Sequence, residues 1–316
     1  MSWTSGLPPV AHERIERQRA SRVAGSLLSA GAAAAVLAAG FRPIGEVMGC
    51  VVMHIGWVGY RCAYGASGGV FGAGYGRSPV LVSGDLGPHG EHRTDGLGPQ
   101  AAAYNQAWDG ALNRMLLEAN ALGADGVVGV RLTERVLDGA NHEFVALGTA
   151  VSDGNALTPG PDRWPFCTDL GGPDVAKLAG SGWLPTGIAI GLSMALRHDD
   201  YATLAAQRSW SNQEIVGYSE LLSASRADAR RQLSLRAHRV GGEHVVISSL
   251  RTTTFVREVS DGHTDHGAHT TIVGTALRRA APDEPAAGAG AGDWATGRPP
   301  LTVMPLSARA PGRRAG

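Results

Sequence analysis

The segment Ser26–Gly49 recurs as Thr168–Gly191, and no other feature constrains the fold of this chain as strongly. At one constant offset Leu28 falls on Leu170, Gly40 on Gly182 and aromatic Phe41 on aromatic Trp183. Pro43 then falls on Pro185, Gly45 on Gly187 and Gly49 on Gly191. At a second constant offset Ala111–Val128 falls on Ala229–Val246, so that Ala119 meets Ala237, Gly123 meets Gly241, and Val127-Val128 meets Val245-Val246. Gly148-Thr149-Ala150 recurs as Gly274-Thr275-Ala276. The change of offset means shared elements joined by loops of different length, with the longer insertion before the helix of copy one. A period above about 100 residues is the mark of a duplicated domain and not of a solenoid.

Each copy reads as a small α+β unit. In copy one Leu112, Met115, Leu116, Ala119 and Leu122 fall on one helical face, with Asn113, Arg114, Glu118 and Asn120 off it. Gly123 follows, where a left-handed C-terminal cap wants glycine. A β-rich run then begins at Gly126, a turn signal sits at Asp138-Gly139, and a second run spans Phe144–Val151. With an earlier strand near Ile44–Ile55 this gives β-α-β-β: an antiparallel sheet with a helix on one face. Copy two repeats the plan, with a helix to Val240 and strands near Val245–Arg251 and Thr270–Leu277. The sequence therefore predicts two tandem modules, over 26–152 and 167–280, the first carrying a Gly-rich insertion at about 62–100. A partly disordered segment over 1–25, a linker over 153–166 and a disordered Ala/Pro/Gly-rich tail over 281–316 complete the chain. So small a core leaves a sheet face to cover, which predicts oligomerisation beside the fusion itself.

The repeat also settles the one membrane question. Val23–Gly40 carries no charge, yet its counterpart in copy two holds Asp169, Asp174 and Lys177. A bilayer element does not tolerate such a copy, and both segments read as a short helix behind a Ser/Thr/Asp start signal. The formal net charge is zero, which removes the basic surplus that nucleic acid or an anionic membrane needs. The three cysteines, Cys50, Cys62 and Cys167, form no CxxC pair, which argues against a disulfide scaffold and for the cytoplasm.

Three stretches carry a family likeness: Phe41-Arg42-Pro43-Ile44-Gly45-Glu46-Val47-Met48-Gly49, then Ala119 with Leu122-Gly123-Ala124-Asp125-Gly126-Val127-Val128-Gly129-Val130-Arg131, then Leu147-Gly148-Thr149-Ala150-Val151. Together they resemble the YbjQ-like family, labelled heavy-metal-binding. The likeness covers most of 26–151 and, more faintly, 167–279, where Val-Val-Gly-Val becomes Val245-Val246-Ile247-Ser248. The resemblance implies a small β-α-β-β unit that builds a five-fold ring, with no established enzymatic activity. Five fused chains could then form two stacked rings, one from each copy. No invariant ligand set of that family maps onto this chain.

The best metal candidate is His263, Asp265, His266 and His269, just before the last strand of copy two. Three imidazoles and a carboxylate could offer Zn, Ni or Cu a nitrogen–oxygen set. The competing reading is a solvated hairpin loop, because copy one has only Asn141-His142-Glu143 there. His89 and His92, with Glu91 and Asp85, form a thinner cluster in the insertion. His54 reads as a core histidine on an apolar strand, flanked by Cys50 and Cys62, which read as buried thiols. The glycines between Gly65 and Gly76 fail the phosphate-loop fingerprint. Glu118, Asp125 and Glu143 read as surface or cap residues rather than an acid/base pair, and no hydrolase or kinase motif is present. Two functions follow: a cytoplasmic oligomeric binding protein with a divalent metal as leading ligand, or a scaffold with no small-molecule ligand. In both the chain is not an enzyme.

Overall fold

The computed structural model describes residues 6–21, 25–56, 78–83, 97–153, 164–260 and 263–280. Helix α1 (Pro9–Ala20) and helix α2 (Ala30–Ala38) precede strand β1 (Phe41–His54). Strand β2 (Val80–Val82), helix α3 (Leu97–Ala121) and strands β3 (Gly126–Asp138) and β4 (Asn141–Asp153) follow. Strand β5 (Phe166–Cys167) and helix α4 (Gly172–Gly180) lead into β6 (Trp183–His198). Helices α5 (Tyr201–Gln207) and α6 (Val216–Arg239) and strands β7 (His244–Ser260) and β8 (His263–Arg279) complete the order. The uncharged N-terminal run folds as the short α2, capped by the Ser29 hydroxyl, which accepts from the Ala32 amide. Among the described residues no helix is long and apolar enough to cross a membrane.

Two four-stranded sheets form, in the orders β1-β4-β3-β5 and β2-β6-β8-β7. The central three strands of each follow one plan, strand–helix–hairpin, with all pairs antiparallel. Both first strands shift register at the same place, Pro43/Gly45 and Pro185/Gly187. Both main helices stop at a left-handed glycine, Gly123 at φ +78° and Gly241 at φ +77°. The fourth strand of each sheet comes from elsewhere in the chain. β5 pairs parallel with β3, and β2, out of the Gly-rich insertion, pairs antiparallel with the end of β6. The insertion and the linker thus contribute ladder, where the sequence suggested only loop.

α3 lies on β1 and β4 and also meets β6. Its residues Trp108, Ala111, Met115 and Ala119 share one core with Val47 and Phe144 of the first sheet and Ile188, Ile190, Leu192, Met194 and Leu196 of β6. The alternate residues of β6 turn to the other face, where Ala189 packs with Leu233 and Ala237 of α6. The helix expected from Ala111 starts at Leu97, inside the supposed insertion.

Three expectations are corrected. His54 is exposed, not core, and its Nδ1 lies 2.9 Å from Asn141 Oδ1. The alternation of β1 carries it out at the strand's end. Glu118 is wholly buried rather than on the surface. Arg14 of α1 grips its carboxylate with two hydrogen bonds of 2.6 Å, and the Met48 amide donates a third at 3.1 Å. The stretch from His263 to His269 is not a loop: β8 starts at His263 and pairs with β7 from Ser260 back. The Thr- and Val-rich run Thr252–Val259 gives it a strand to pair with.

Close approach of helix to sheet sets the packing of both units. A Cβ at Gly49 would lie 1.9 Å from the Ala111 carbonyl oxygen, and one at Gly191 would lie 2.1 Å from that of Ala229. Gly49→Ala and Gly191→Ala are each expected to destabilise the fold by about 3 kcal/mol, since backbone must move. Gly180→Ala, with nothing within 4 Å, is expected to stay within about 0.5 kcal/mol. Urea unfolding midpoints check all three, and a wild-type midpoint for Gly49→Ala would contradict this packing.

Candidate functional site: histidines at the ends of the sheets

The far end of the second sheet gathers the polar residues of interest. β6 ends in Arg197-His198, with Asp199-Asp200 directly after, beside the start of β8 in the register Arg197↔His266 and His198↔Asp265. Successive side chains of a strand point to opposite faces, and the sequence candidates are divided accordingly. Asp265 is wholly buried, and its carboxylate accepts from His198 Nδ1 at 2.8 Å. His266 turns to the other face, where its Nδ1 donates to Asp199 at 3.0 Å and the Tyr218 hydroxyl lies 2.9 Å from its Nε2. Burial and the adjacent Asp199 push the Tyr218 hydroxyl up to about 12, so at neutral pH it is a neutral hydrogen-bonding group.

His269 returns to the Asp265 side and meets the first unit. Its ring centroid lies 5.0 Å from that of Tyr104 on α3, edge to face. Tyr104 also contacts Phe144 and His142 of β4, at centroid distances of 5.5 and 5.6 Å. His142 Nδ1 in turn lies 3.1 Å from Glu134 of β3. Tyr104 is therefore touched both by His142 of one sheet and by His269 of the other. Of His263 the structure places the backbone, as the first residue of β8.

Beneath this end Arg197 is buried and fully engaged on one side, donating to Thr203 at 2.8 Å and to Asp200 at 2.7 Å. Asp200 caps α5 through the Thr203 amide at 2.8 Å and accepts from Ser78 ahead of β2 at 3.0 Å. Burial alone would raise its carboxyl, but the Thr203 and Ser78 donors and the Arg197 charge prevail and hold it down at about 2. A cavity of about 100 Å³ opens beside Arg197, Asp200 and Gly217, where the buried Arg197 Nε has no protein partner. There is room for a water there.

A metal ion needs several donors converging on one point. Among the described residues no group of three or more His, Cys, Asp and Glu side chains is so placed. Asp265, His266 and His269 are instead spent on three different partners across two faces. Of the thinner candidates, Asp85, His89, Glu91 and His92 lie outside the described residues, as do Cys62 and Gly65–Gly76. Cys50 is half-buried, 3.6 Å from Glu143, and burial followed by that carboxylate raises its thiol. Cys167 is buried, and burial raises its thiol to about 11. Asp125 holds the Asp153 amide at 2.8 Å, which is a structural duty. The sequence reading missed Asp199, Tyr218 and Glu134. The run His198-Asp199-Asp200 was the signal available, but only strand register could bring it beside β8.

The geometry defines an α+β protein of paired sheet–helix units, and part of it matches a known family. Residues 98–153 match the family model described as "Putative heavy-metal-binding", so that stretch carries a YbjQ-like domain. An encapsulin nanocompartment protein of Mycobacterium tuberculosis is 35% identical over 194 residues, which cover 60% of this chain and 62% of that protein. A UPF0145 protein of Halorubrum lacusprofundi is 51% identical over 45 residues, 14% of this chain and 43% of that protein. The chain thus spans less than two thirds of the length of either relative. No solved structure matches it.

The half-buried His269 gives this region a pH dependence. Burial lowers its pKa; Glu134 opposes that shift, while Arg251 and His142 add to it. The unfolded chain takes up this proton near pH ~6.5 and the folded chain only lower. Stability should therefore fall as pH drops through that window. His269→Phe is expected to lose less stability than wild type between about pH 7.5 and about pH 5.5. Urea unfolding at both values checks this, and equal losses in the two proteins would overturn it.

Proposed function

We propose that this chain is a non-enzymatic scaffold of the cytoplasm, a fused pair of YbjQ-like modules that works by assembling with further chains. The carrying observation is the edge strand β7. Val246, Ile247, Leu250, Phe255 and Val256 are all exposed along it, on the outermost position of its sheet. A long edge strand presents unpaired amide and carbonyl groups, and monomeric proteins blunt such edges with charge, proline or a cover. Here these apolar residues stand among Arg251, Arg257 and Glu258, and the strand contains no proline. The relative named for an encapsulin nanocompartment supports a role in assembly, and the two free cysteines suit a reducing compartment.

The divalent-metal reading rests on His263, Asp265, His266 and His269 and on the family label. Existing partners must release Asp265 and His266 before either can bind Zn, Ni or Cu, which disfavours a tight site. The two readings separate in two measurements. Light scattering is expected to give a mass of several chains of 32.7 kDa, five if the ring implied by the resemblance holds. A single chain at micromolar concentration would overturn the scaffold. Titration calorimetry of chelator-stripped protein with Zn and Ni is expected to give no micromolar binding. Tight binding that a His263→Ala/His266→Ala variant loses would restore the metal reading.

A further inference from the structure

The two units are equivalent in build but not in what covers them. In the first, the outer edge of β3 is closed by β5 and the residues after it: the Thr168 amide donates to the Val127 carbonyl at 2.9 Å, and the Phe166 amide to Asp125 at 3.1 Å. There Val128 packs with Val36, Phe41, Val151 and Val175 and is 0% exposed, and Thr168 is 0% exposed. In the second unit Val246 stands where Val128 does, on β7, and is 38% exposed.

The covering segment has its own counterpart. Gly25–Leu28 precedes α2 as Cys167–Leu170 precedes α4, and each is seated on its own unit in the same way. The Leu27 amide donates to Thr149 Oγ1 at 3.1 Å, and the Asp169 amide to Thr275 Oγ1 at 3.3 Å. Yet Gly25 and Ser26 are exposed where Cys167 and Thr168 are buried. One chain therefore carries an unused copy of the covering strand and an unused copy of the edge it covers.

The space for it is already open. A groove of about 320 Å³ runs between α6 and β7, lined by Arg230, Leu233, Ala237, Glu243, His244 and Val245. In the first unit the matching place is filled: the Phe166 ring lies 2.3 Å from where a Gly126 Cβ would stand, and Cys167 joins the α3 core. The vacant groove is more polar than the filled one, with Arg230 for Leu112 and His244 for Gly126. The vacant strand is smaller and more polar to match, with Gly25 for Cys167 and Ser26 for Thr168.

We infer that Gly25–Leu28 of a second copy of this chain adds to the β7 edge, in parallel, along Glu243–Val246. This rests on the assembly reading above and names its interface. The Ser26 amide of the incoming copy donates to the Val245 carbonyl, as Thr168 does to Val127 within the chain. The match stops at Val246, because Ile247 stands where Gly129 takes φ +63°, a conformation an isoleucine does not adopt. Strand addition of this kind supplies main-chain hydrogen bonds to an edge that lacks them. Donor and acceptor are different surfaces, so the contact is head to tail and propagates to a ring where the rotation between copies closes and to a filament where it does not.

Two variants and their mixture test it. Gly25→Asp puts a carboxylate where none of the described residues lies within 4 Å, so that a docked partner meets it. Val246→Asp does the same to the acceptor edge. Each variant alone is expected to sediment as one chain, with self-association weakened at least about a hundredfold. Their equimolar mixture is expected to give a complex of two chains, since each supplies the surface the other lacks. Ser26→Pro, which removes the donating amide together with the hydroxyl that accepts from the Leu28 amide, serves as second donor variant, and wild-type circular dichroism is required of all three. If a folded variant assembles as wild type does, this interface is wrong while the scaffold reading stands. If the variants are single chains but the mixture forms no complex, the head-to-tail arrangement is wrong. If wild type itself is a single chain, both fall.

Discussion

α3 is buried from two sides, and the rest of the molecule is arranged around that. One side lies on β1 and β4, so close that a Cβ at Gly49 would strike the Ala111 carbonyl. The other meets β6, whose Ile188, Ile190, Leu192, Met194 and Leu196 enter the same core. A β-α-β-β unit alone would bury one face of its sheet and leave the other wet, with too little apolar area removed from water for a firm core. Fusion lets one helix serve two sheets. Its cost is an acid at the helix end: Glu118, inside this core, needs Arg14 to reach in from α1. A buried carboxylate without such a partner would be costly, and α1 is thereby bound to the first unit.

The exchange of strands between the units follows from the same fusion. β5, at the start of the second unit, closes the edge of the first sheet, and β2, from the first unit, closes part of the second. Each sheet is thus completed by residues distant in sequence, which couples the stabilities of the two. The asymmetry that remains is an outermost β7 in the second sheet and an exposed Gly25-Ser26 before α2. Heterologous contacts leave one donor and one acceptor unsatisfied per open chain, and only further copies satisfy both.

How much of this the sequence disclosed depended on whether the cause was local. The helix face of Leu112, Met115 and Ala119, the cap at Gly123 and the hairpin at Asp138-Gly139 are set by neighbours in sequence, and the α+β plan could be read from them. The fate of Ala-rich 30–38 could be read too, because its copy carries Asp174 and Lys177. The start of α3 at Leu97 was hidden, since Ala101, Tyr104 and Trp108 sit behind a Gly- and Pro-rich stretch that reads as loop. The burial of Glu118 was hidden because its partner Arg14 is remote in sequence. β2 and β5, of three and two residues, carry no periodicity long enough to detect, and exist only because an edge of another unit accepts them.

The histidine cluster shows why spacing alone misleads about sites. His263, Asp265, His266 and His269 fall within one short stretch, and on a loop they could converge on one ion. On a strand, alternation sends Asp265 and His269 to the face shared with the first unit and His266 to the face of α6. Each then meets what its own face offers: His198, Tyr104 and the Asp199–Tyr218 pair. What decided between loop and strand was β7, whose Thr252–Val259 run gives β8 something to pair with along its whole length. The extension of β7 therefore has two consequences at once. It fixes Asp265, His266 and His269 on alternate faces of β8, and it lengthens the outermost strand of the sheet. A family label that speaks of metal and a surface built for association can both attach to one fold, because the fold fixes only where the residues stand. In this chain Asp265, His266 and His269 each meet a protein partner near the sheet ends.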